Sequence, residues 1–217
     1  VPSTWLLLDG SDNELGRFFT YVIAALHKLV PQIDQSFSEA LRSLSPSPEE
    51  LVCPLINALA SVDQPLVLVL DDYHLITDAV IQEAMALLLE HAPPNLQLVM
   101  LTRVDPPFPL PRWRVRERMT EIRAGDLRFT PEEMTSLLNS RHGLGLPPEY
   151  IAALELRTEG WAAGVQLAAL SLQGCDTECT TRFIEAFSGS HHYVIDYLAD
   201  EVLLRQTEDV QSFLLQT

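Results

Sequence analysis

The chain has 217 residues, and its 30 acidic side chains against 14 basic ones give a formal net charge of −16. That balance argues against binding along a nucleic-acid backbone, which requires clustered positive charge, although a single nucleotide needs only a local positive site. The composition, 47% apolar and 20% charged, is that of a globular protein with one domain or two small ones. No apolar run approaches the roughly 20 residues of a membrane-spanning helix, so no membrane partner is expected.

The three cysteines, Cys53, Cys175 and Cys179, do not have the spacing of a disulfide framework. An odd number of thiols without such spacing is typical of a reducing compartment, and we expect a cytoplasmic location. Cys175 and Cys179 lie close together in the segment CDTEC, but no second pair and no neighbouring histidine completes a metal site. The sequence therefore predicts a loop with two ordinary thiols.

Strand patterns alternate with helix patterns in the first half of the chain. The predicted strands cover 4–9, 66–70 and 96–103, and the predicted helices cover 15–29, 51–59 and 78–91. This alternation predicts a parallel sheet built from right-handed crossovers. Five successive apolar residues at 66–70 indicate a strand that is buried on both faces. The proline-rich segment after 103 is predicted to hold no continuous element, and a short strand is predicted at 120–124.

Only helix patterns follow in the second half. Thr130, Pro131 and Glu133 have the spacing of an N-cap, a first-turn proline and a capping-box glutamate, which predicts the start of a helix. Helices are accordingly predicted from 130 to about 142–146, over 148–158 and 161–173, and in two or three segments between 181 and 215.

Polar side chains stand at the ends of two predicted strands. Asp71 and Asp72 follow the strand at 66–70, and Thr102 and Arg103 end the next strand. Because the carboxyl ends of adjacent parallel strands meet at one edge of a sheet, both pairs are expected to face the same crevice. Two carboxylates beside an arginine suit a magnesium–triphosphate ligand. The alternative is an Asp–Arg pair that only caps two strand ends.

Five segments of the chain resemble a known family. They are LVLVLDDYHLI, LVMLTRVDPPFPLPRWRVR, IRAGDLRFTPEE, RTEGWAAGVQLAALSLQG and FSGSHHYVIDYLADEVL. The same segments occur in the same order in the ATP-binding regulators typified by the bacterial maltose activator. These are large LuxR-type transcription factors of the signal-transducing ATPase class related to AAA+ proteins. The resemblance implies an α/β, P-loop NTPase-like parallel sheet, an all-α helical domain and a winged-helix domain, then a sensor arm and a DNA-binding helix-turn-helix.

The resemblance also implies roles for particular residues. Asp71 and Asp72 match the Walker B carboxylates, so that Asp71 would bind Mg²⁺ through water and Asp72 would position the attacking water. Arg103 resembles the arginine after the sensor strand, which reads the terminal phosphate. Gly160 and Trp161 lie where related proteins place a Gly-x-Pro segment near the adenine. Because TEGW departs from that pattern, the alternative role of Trp161 is to anchor the packing between two helices.

The phosphate-binding half of such a site is missing from these residues. A P-loop has the pattern GxxxxGK[ST], but none of the nine glycines begins it, and Lys28 lies in the middle of a predicted helix. In the family, the P-loop strand and helix come just before VPSTW. We therefore expect the intact parent to bind ATP or ADP with Mg²⁺ and to be an ATPase, whereas this chain alone is expected to bind neither and to be inactive.

Without a P-loop strand, the strand at 96–103 is expected to have an unpaired apolar edge. Three outcomes are open: the sheet rearranges so that 120–124 fills the gap, the chain self-associates through that edge, or the chain is a piece of a longer protein.

Together these features predict three domains. They are a nucleotide-binding α/β domain with only the Walker B half (1–125), a helical domain (126–188) and the beginning of a winged-helix domain (189–217). The leading hypothesis is an ATP-binding switch module that controls assembly and DNA binding by domains outside this chain, in response to an unidentified inducer. The alternative is a non-catalytic regulatory module that has lost its P-loop and binds protein partners.

The segment RWRVRER (112–118) places four arginines around Trp113. Arginines beside an aromatic ring can bind a nucleic acid. The net charge of −16 and the preceding prolines favour a loop that is solvated or paired within the molecule. His191 and His192 have no further ligands at metal-binding spacing and are expected to cap or pack a helix.

Overall fold

A computed structural model describes residues 1–31, 33 and 47–187 of the chain. The predicted start of a winged-helix domain at 189–217, with His191 and His192, lies outside the described residues. The chain divides into two compact units, Val1–Met119 and Thr120–Thr217, and each is described by itself. None of the helices in the described part has the length and apolar character needed to cross a membrane.

The first unit alternates strands and helices. Its strands are β1 (Ser3–Leu7), β2 (Leu66–Asp71) and β3 (Leu96–Met100). Its helices, over the described residues, are α1 (Leu15–His27), α2 (Pro48–Ala60), α3 (Ala79–His91) and α4 (Leu110–Val115). The strands form a parallel sheet in the order β1–β2–β3, which confirms the α/β class and the parallel sheet predicted from the sequence.

Two of these helices begin at residues whose short side chains cap the first turn. Ser47 caps α2, and the Ser47 N–H donates a hydrogen bond to the side chain of Glu50 at 2.8 Å. Asp78 caps α3 by accepting hydrogen bonds from the N–H groups of Val80 and Ile81, both at 3.0 Å. These bonds satisfy donors that a helix leaves unpaired in its first turn. The predicted N-cap at Asp78 is therefore confirmed.

One face of the sheet carries the hydrophobic core. Leu66, Leu68 and Leu70 alternate along β2, are fully buried and belong to the same cluster as the buried side chains of α1, α2 and α3. Because the strands advance in one direction from β1 to β3, right-handed crossovers place the connecting helices on one face. On the other face, Trp5 and Leu7 of β1 are 58% and 65% exposed.

The strands are less buried than the sequence predicts. In β2, Val67 is only half-buried, so the prediction of full burial on both faces is wrong at that position. No residue of β3 is buried, because within the described residues β3 pairs with β2 alone and forms an edge of the sheet. The predicted strand at 120–124 is also absent: Ile122 is 68% exposed, and the segment leads into a turn instead.

The second unit is helical over its described residues. Its elements are α5 (Pro131–Thr135), which continues as a π-helical stretch (Ser136–Arg141), then α6 (Pro148–Thr158), α7 (Ala162–Leu172) and α8 (Thr177–Ala186). The predicted capping box is confirmed: the Thr130 N–H donates to Glu133 at 2.9 Å, and the Glu133 N–H donates back at 3.3 Å. Met134, Leu138 and Val165 are fully buried in the core of this unit.

Two loop predictions differ from the structure. The proline-rich segment forms the short helix α4, because Pro111 lies in its first turn, where a missing N–H is tolerated. Cys175 and Cys179 are joined by a disulfide bond, so the prediction of two ordinary thiols is wrong. The turn between α7 and α8 brings their Cα atoms to 5.3 Å, within the range that a disulfide spans.

Candidate functional site

Asp71 and Asp72 lie at the carboxyl end of β2, the central strand of the described sheet. The carbonyl of Asp71 accepts a hydrogen bond from the Leu8 N–H at 3.1 Å, and its Oδ1 accepts one from the Asp72 N–H at 2.9 Å. Both residues are half-buried. The neighbouring strand thus fixes their backbone, while the carboxylates keep access to solvent.

Asp72 has a left-handed backbone conformation, with φ of 54°. In the short 3-10 helix that follows, the Tyr73 N–H donates to the carbonyl of Leu101 at 3.0 Å. The Tyr73 hydroxyl donates to Gln82 at 2.8 Å, and burial raises the pKa of Tyr73. Residues other than glycine rarely adopt positive φ, and those that do are frequent at functional sites. The hydrogen bonds of the adjacent Tyr73 help to hold the backbone of Asp72 in this conformation.

Thr102 and Arg103 follow β3 and are exposed. β2 and β3 are adjacent and parallel, so their carboxyl ends meet at one edge of the sheet. The Leu101 N–H donates to the carbonyl of Leu70 at 2.9 Å, which continues the pairing beyond the end of β3. The two carboxylates and Arg103 thus follow neighbouring strands at the same edge. That they bind a metal ion and a phosphate stays a prediction.

Asn13 connects the turn after β1 to the loop after β2 and is not among the predicted site residues. Its Nδ2 donates to the carbonyl of Leu75 at 2.7 Å. Its Oδ1 accepts from the N–H groups of Thr77 at 2.6 Å and Asp78 at 3.0 Å. These partners lie 62 to 65 residues further along the chain, so no local pattern predicts the contact.

His74 is a second residue near the predicted site that no sequence motif indicated. Its Nδ1 lies 3.8 Å from Oδ1 of Asp72, and its side chain is largely buried. This separation is too long for a hydrogen bond. The available signal in the sequence is the position of His74 in DDYH, two residues after Asp72.

The donor set at the strand ends fits one class of metal ion. Among the described residues, no three His, Cys, Asp or Glu side chains converge in a way that could hold a metal. Asp71 and Asp72 together offer two carboxylates. Mg²⁺ suits such a set, because it keeps several waters and is usually held by one or two carboxylates and the substrate's phosphates. Zinc, which takes three or four protein ligands, does not.

Gly160 and Trp161 lie in the second unit, at the turn between α6 and α7. Gly160 has φ of +70°, and its carbonyl accepts a hydrogen bond from the Phe129 N–H at 2.8 Å. The ring of Trp161 packs so closely on Gly164 that a methyl group there would lie 2.8 Å from Cε3. These contacts favour a packing role for Trp161, and contact of either residue with adenine stays a prediction.

The arginines of 112–118 are paired within the first unit. Glu90, at the end of α3, accepts a hydrogen bond from Nε1 of the buried Trp113 at 3.1 Å. Guanidinium nitrogens of Arg112, Arg116 and Arg118 lie 3.4, 3.7 and 3.4 Å from its Oε1. The hydrogen bond from Trp113, followed by these three charges, lowers the pKa of Glu90. The arginines of this segment are therefore paired within the molecule, as the alternative to nucleic-acid binding predicted.

Glu90→Gln is expected to lower the stability of the first unit near neutral pH, because the arginines lose their shared carboxylate. A lowered folded pKa contributes stability above the ordinary value of 4.5, and that contribution disappears as the pH falls through the folded pKa. The difference between wild type and variant should therefore be present near pH 7 and vanish in acid, where protonated Glu90 is also neutral. Urea unfolding across this pH range measures it.

Glu83→Gln is the matched control for this prediction, since Glu83 is exposed on the same helix. It is expected to change the free energy of unfolding by no more than about 0.5 kcal/mol. Equal effects of the two substitutions at neutral pH would contradict the role assigned to Glu90.

Curated relatives match nearly all of this chain, although no family model matches it. The HTH-type transcriptional regulator MalT of Yersinia enterocolitica is 37% identical over 216 residues, which are 98% of this chain and 24% of that protein. MalT of Serratia proteamaculans has the same identity and coverage. The serine/threonine-protein kinase PknK of Mycobacterium tuberculosis is 30% identical over 212 residues, which are 97% of this chain and 19% of PknK.

These similarities cover the chain from end to end, whereas the chain spans about a quarter of the MalT proteins and about a fifth of PknK. A transcriptional regulator and a kinase thus share this segment. The resemblance inferred from the five quoted segments is confirmed by the relatives themselves. Over nearly its whole length, this chain is homologous to one segment of the MalT-like, LuxR-type regulators and of PknK.

Proposed function

We propose that this chain is part of the ATP-binding switch of a LuxR-type transcriptional regulator. The supporting observation is the position of Asp71 and Asp72 at the end of β2, beside the strand that leads to Arg103, in a homologue of MalT. In this proposal Asp71 binds Mg²⁺ through water, Asp72 orients the attacking water, and Arg103 contacts the terminal phosphate. Bound Mg²⁺ would neutralise part of the phosphate charge.

The unpaired edge of β3 and the exposed face of the sheet could accommodate the phosphate-binding segment of the proposal. Within the described residues β3 has an unpaired edge, and Trp5 and Leu7 are exposed on the face away from the helices. In the proposal, the P-loop strand pairs with β3. The connection from the P-loop strand to β1 then runs across the sheet in the direction opposite to β1–β2–β3. A right-handed crossover in that direction places its helix on the open face.

In the intact regulator, ATP would hold the α/β, helical and winged-helix domains in one arrangement, and hydrolysis would release it. DNA would be bound through a domain outside this chain, in the cytoplasm, under control of an inducer. The acidic balance of the chain agrees with this division, because DNA-binding surfaces carry clustered positive charge.

Calorimetry with ATP and Mg²⁺ tests the proposal on two forms of the protein. The 217-residue chain is expected to give no heat of binding, because it contains no GxxxxGK[ST] segment. The full-length gene product is expected to bind ATP, and Asp72→Asn should remove hydrolysis while leaving binding intact. Micromolar binding by the 217-residue chain would contradict the need for a P-loop. A full-length product without that motif would contradict the ATPase role.

Asp72→Gly is expected to separate stability from activity. Glycine adopts positive φ without a Cβ penalty, so the free energy of unfolding should stay constant or rise by up to about 1 kcal/mol. The full-length variant should nevertheless lose hydrolysis, because the carboxylate is gone. Glu117→Gly is the control, since Glu117 has nearly the same φ of 53° and no proposed catalytic role. Loss of activity in that variant as well would point to backbone disruption rather than to the carboxylate.

The second candidate is a non-catalytic module that binds protein partners through the open sheet face. The exposure of Trp5 and Leu7 favours it, because exposed apolar patches mark interaction surfaces. The two candidates differ in one outcome: a full-length product that lacks GxxxxGK[ST] and binds no ATP supports the interaction module alone.

A further inference from the structure

The disulfide bond in the second unit crosslinks a turn to the start of a helix. Cys175 lies in the turn that leaves α7, and Cys179 lies in the first turn of α8. Between them, Asp176 caps α8 by accepting a hydrogen bond from the Cys179 N–H at 2.8 Å. The disulfide bond therefore reinforces the first turn of α8, which the Asp176 cap also stabilises.

In the reduced form, the Cys175 thiol would have a hydrogen-bond acceptor nearby. Its Sγ lies 3.8 Å from the carbonyl of Ser171, a distance at which a thiol can donate a weak hydrogen bond. The backbone N–H of Cys175 donates to the carbonyl of Leu172 at 3.1 Å in a contact that does not involve the sulfur. The turn can thus hold Cys175 both as a thiol and as half of a disulfide.

Small reagents can reach this pair. Cys179 is exposed and Cys175 is half-buried. A cavity of about 230 Å³ opens beside Cys175, with His142 and Gly174 in its lining. Exposed disulfides are reduced and re-formed more readily than buried ones, because a thiolate must approach one sulfur along the S–S axis.

Helix α8 is attached to the unit at several points beyond the disulfide. The hydroxyl groups of Tyr150 and Thr181 lie 2.7 Å apart. Arg157 donates from Nη1 to the carbonyls of Glu185 at 2.9 Å and Phe187 at 2.8 Å, near the end of the helix. These contacts hold the middle and the end of α8, whereas the disulfide and Asp176 hold its beginning.

We propose that Cys175 and Cys179 form a reversible dithiol–disulfide couple that controls how firmly the first turn of α8 is held. Oxidation would use a low-molecular-weight disulfide such as oxidised glutathione. The Cys179 thiolate attacks one sulfur and releases one small thiolate; the Cys175 thiolate then attacks Cys179 and releases the second. The pair loses two electrons, and the small disulfide gains them as two thiols. In a reducing compartment such bonds are typically transient and redox-sensing.

The couple can be measured in the 217-residue chain carrying Cys53→Ser, equilibrated with mixtures of reduced and oxidised glutathione. Alkylation and mass spectrometry then count free thiols. The expected result is that both thiols disappear together in one two-electron transition, which a reductant reverses. Two thiols that stay free at every ratio, or a mixed glutathione adduct that never resolves into the internal bond, would overturn the proposal.

Hydrogen exchange tests the consequence for α8. Amides in its first turns are expected to exchange roughly tenfold faster in the reduced chain, because the crosslink no longer restricts local opening. Cys175→Ser and Cys179→Ser should each match the reduced chain, and neither should form the internal bond with oxidised glutathione. In the otherwise native chain, Cys53, a free and exposed thiol on α2, should stay alkylatable at ratios that close the pair. Equal exchange in both redox states would overturn control of α8. The proposal does not depend on ATP binding, so either can fail separately.

Discussion

Gly160→Ala is expected to lower the free energy of unfolding of the second unit by about 3–4 kcal/mol. A Cβ at this position would lie 2.5 Å from the carbonyl oxygen of Phe129 and 3.1 Å from its nitrogen. The two segments cannot separate freely, because the Phe129 N–H donates to the Gly160 carbonyl. The positive φ of +70° adds the usual penalty for a side chain in the left-handed region. Urea unfolding followed by circular dichroism measures the effect.

Gly143→Ala provides the control for Gly160→Ala. Gly143 has nearly the same φ, +68°, but a Cβ there would meet no atom within 4 Å. It is expected to cost only about 1 kcal/mol, the backbone penalty alone. Equal losses at the two positions would show that the approach of Phe129 is not rigid. Since Gly160 is already required for packing, loss of nucleotide binding in Gly160→Ala would not by itself identify an adenine contact.

Asn13→Ala is expected to destabilise the first unit by about 2–3 kcal/mol, because several hydrogen bonds are lost together. The Nδ2 of Asn13 donates to the carbonyls of Gly10 and Leu75, and its Oδ1 accepts from the N–H groups of Thr77 and Asp78. The substitution therefore releases the loop after β2 from the turn after β1. Thermal unfolding of the 217-residue chain measures the loss.

Asn139→Ala offers a matched comparison in the second unit. Asn139 makes a similar pair of bonds to one residue, donating to the carbonyl of Leu146 at 2.9 Å and accepting from its N–H at 2.7 Å. It should destabilise its own unit without affecting the ATP hydrolysis proposed for the full-length protein. Asn13→Ala should reduce hydrolysis as well, because it loosens the loop that carries Asp72. Unchanged hydrolysis would mean that Asp72 is positioned without Asn13.

Features set by neighbouring residues were predictable from the sequence. The caps at Asp78 and Thr130 depend on donors two or three residues away, so their spacing alone identifies them. The parallel order of the strands followed from the alternation of strand and helix patterns. The positions of Asp71, Asp72 and Arg103 at one edge followed from the same alternation, because adjacent parallel strands end on the same side.

Features that depend on distant or solvent-exposed groups were not predictable. The segment 120–124 contains residues that favour strands, but strand propensity depends on side-chain packing and burial, and Ile122 is 68% exposed. The bonds of Asn13 join segments more than 60 residues apart. The left-handed conformation of Asp72 has no signal in LVLVLDDYHLI. The disulfide depends on the turn between α7 and α8, whereas the prediction of free thiols relied on the cellular compartment.

Trp5 gives the chain an optical property that depends on what lies against the sheet. Trp5 is 58% exposed on the face away from the helices, whereas Trp113 and Trp161 are 6% and 39% exposed. Indole fluorescence moves to shorter wavelength when water is removed from the ring. Whatever covers that face, whether another segment of the same protein or another molecule, is therefore reported by the emission colour of a tryptophan that the protein already contains.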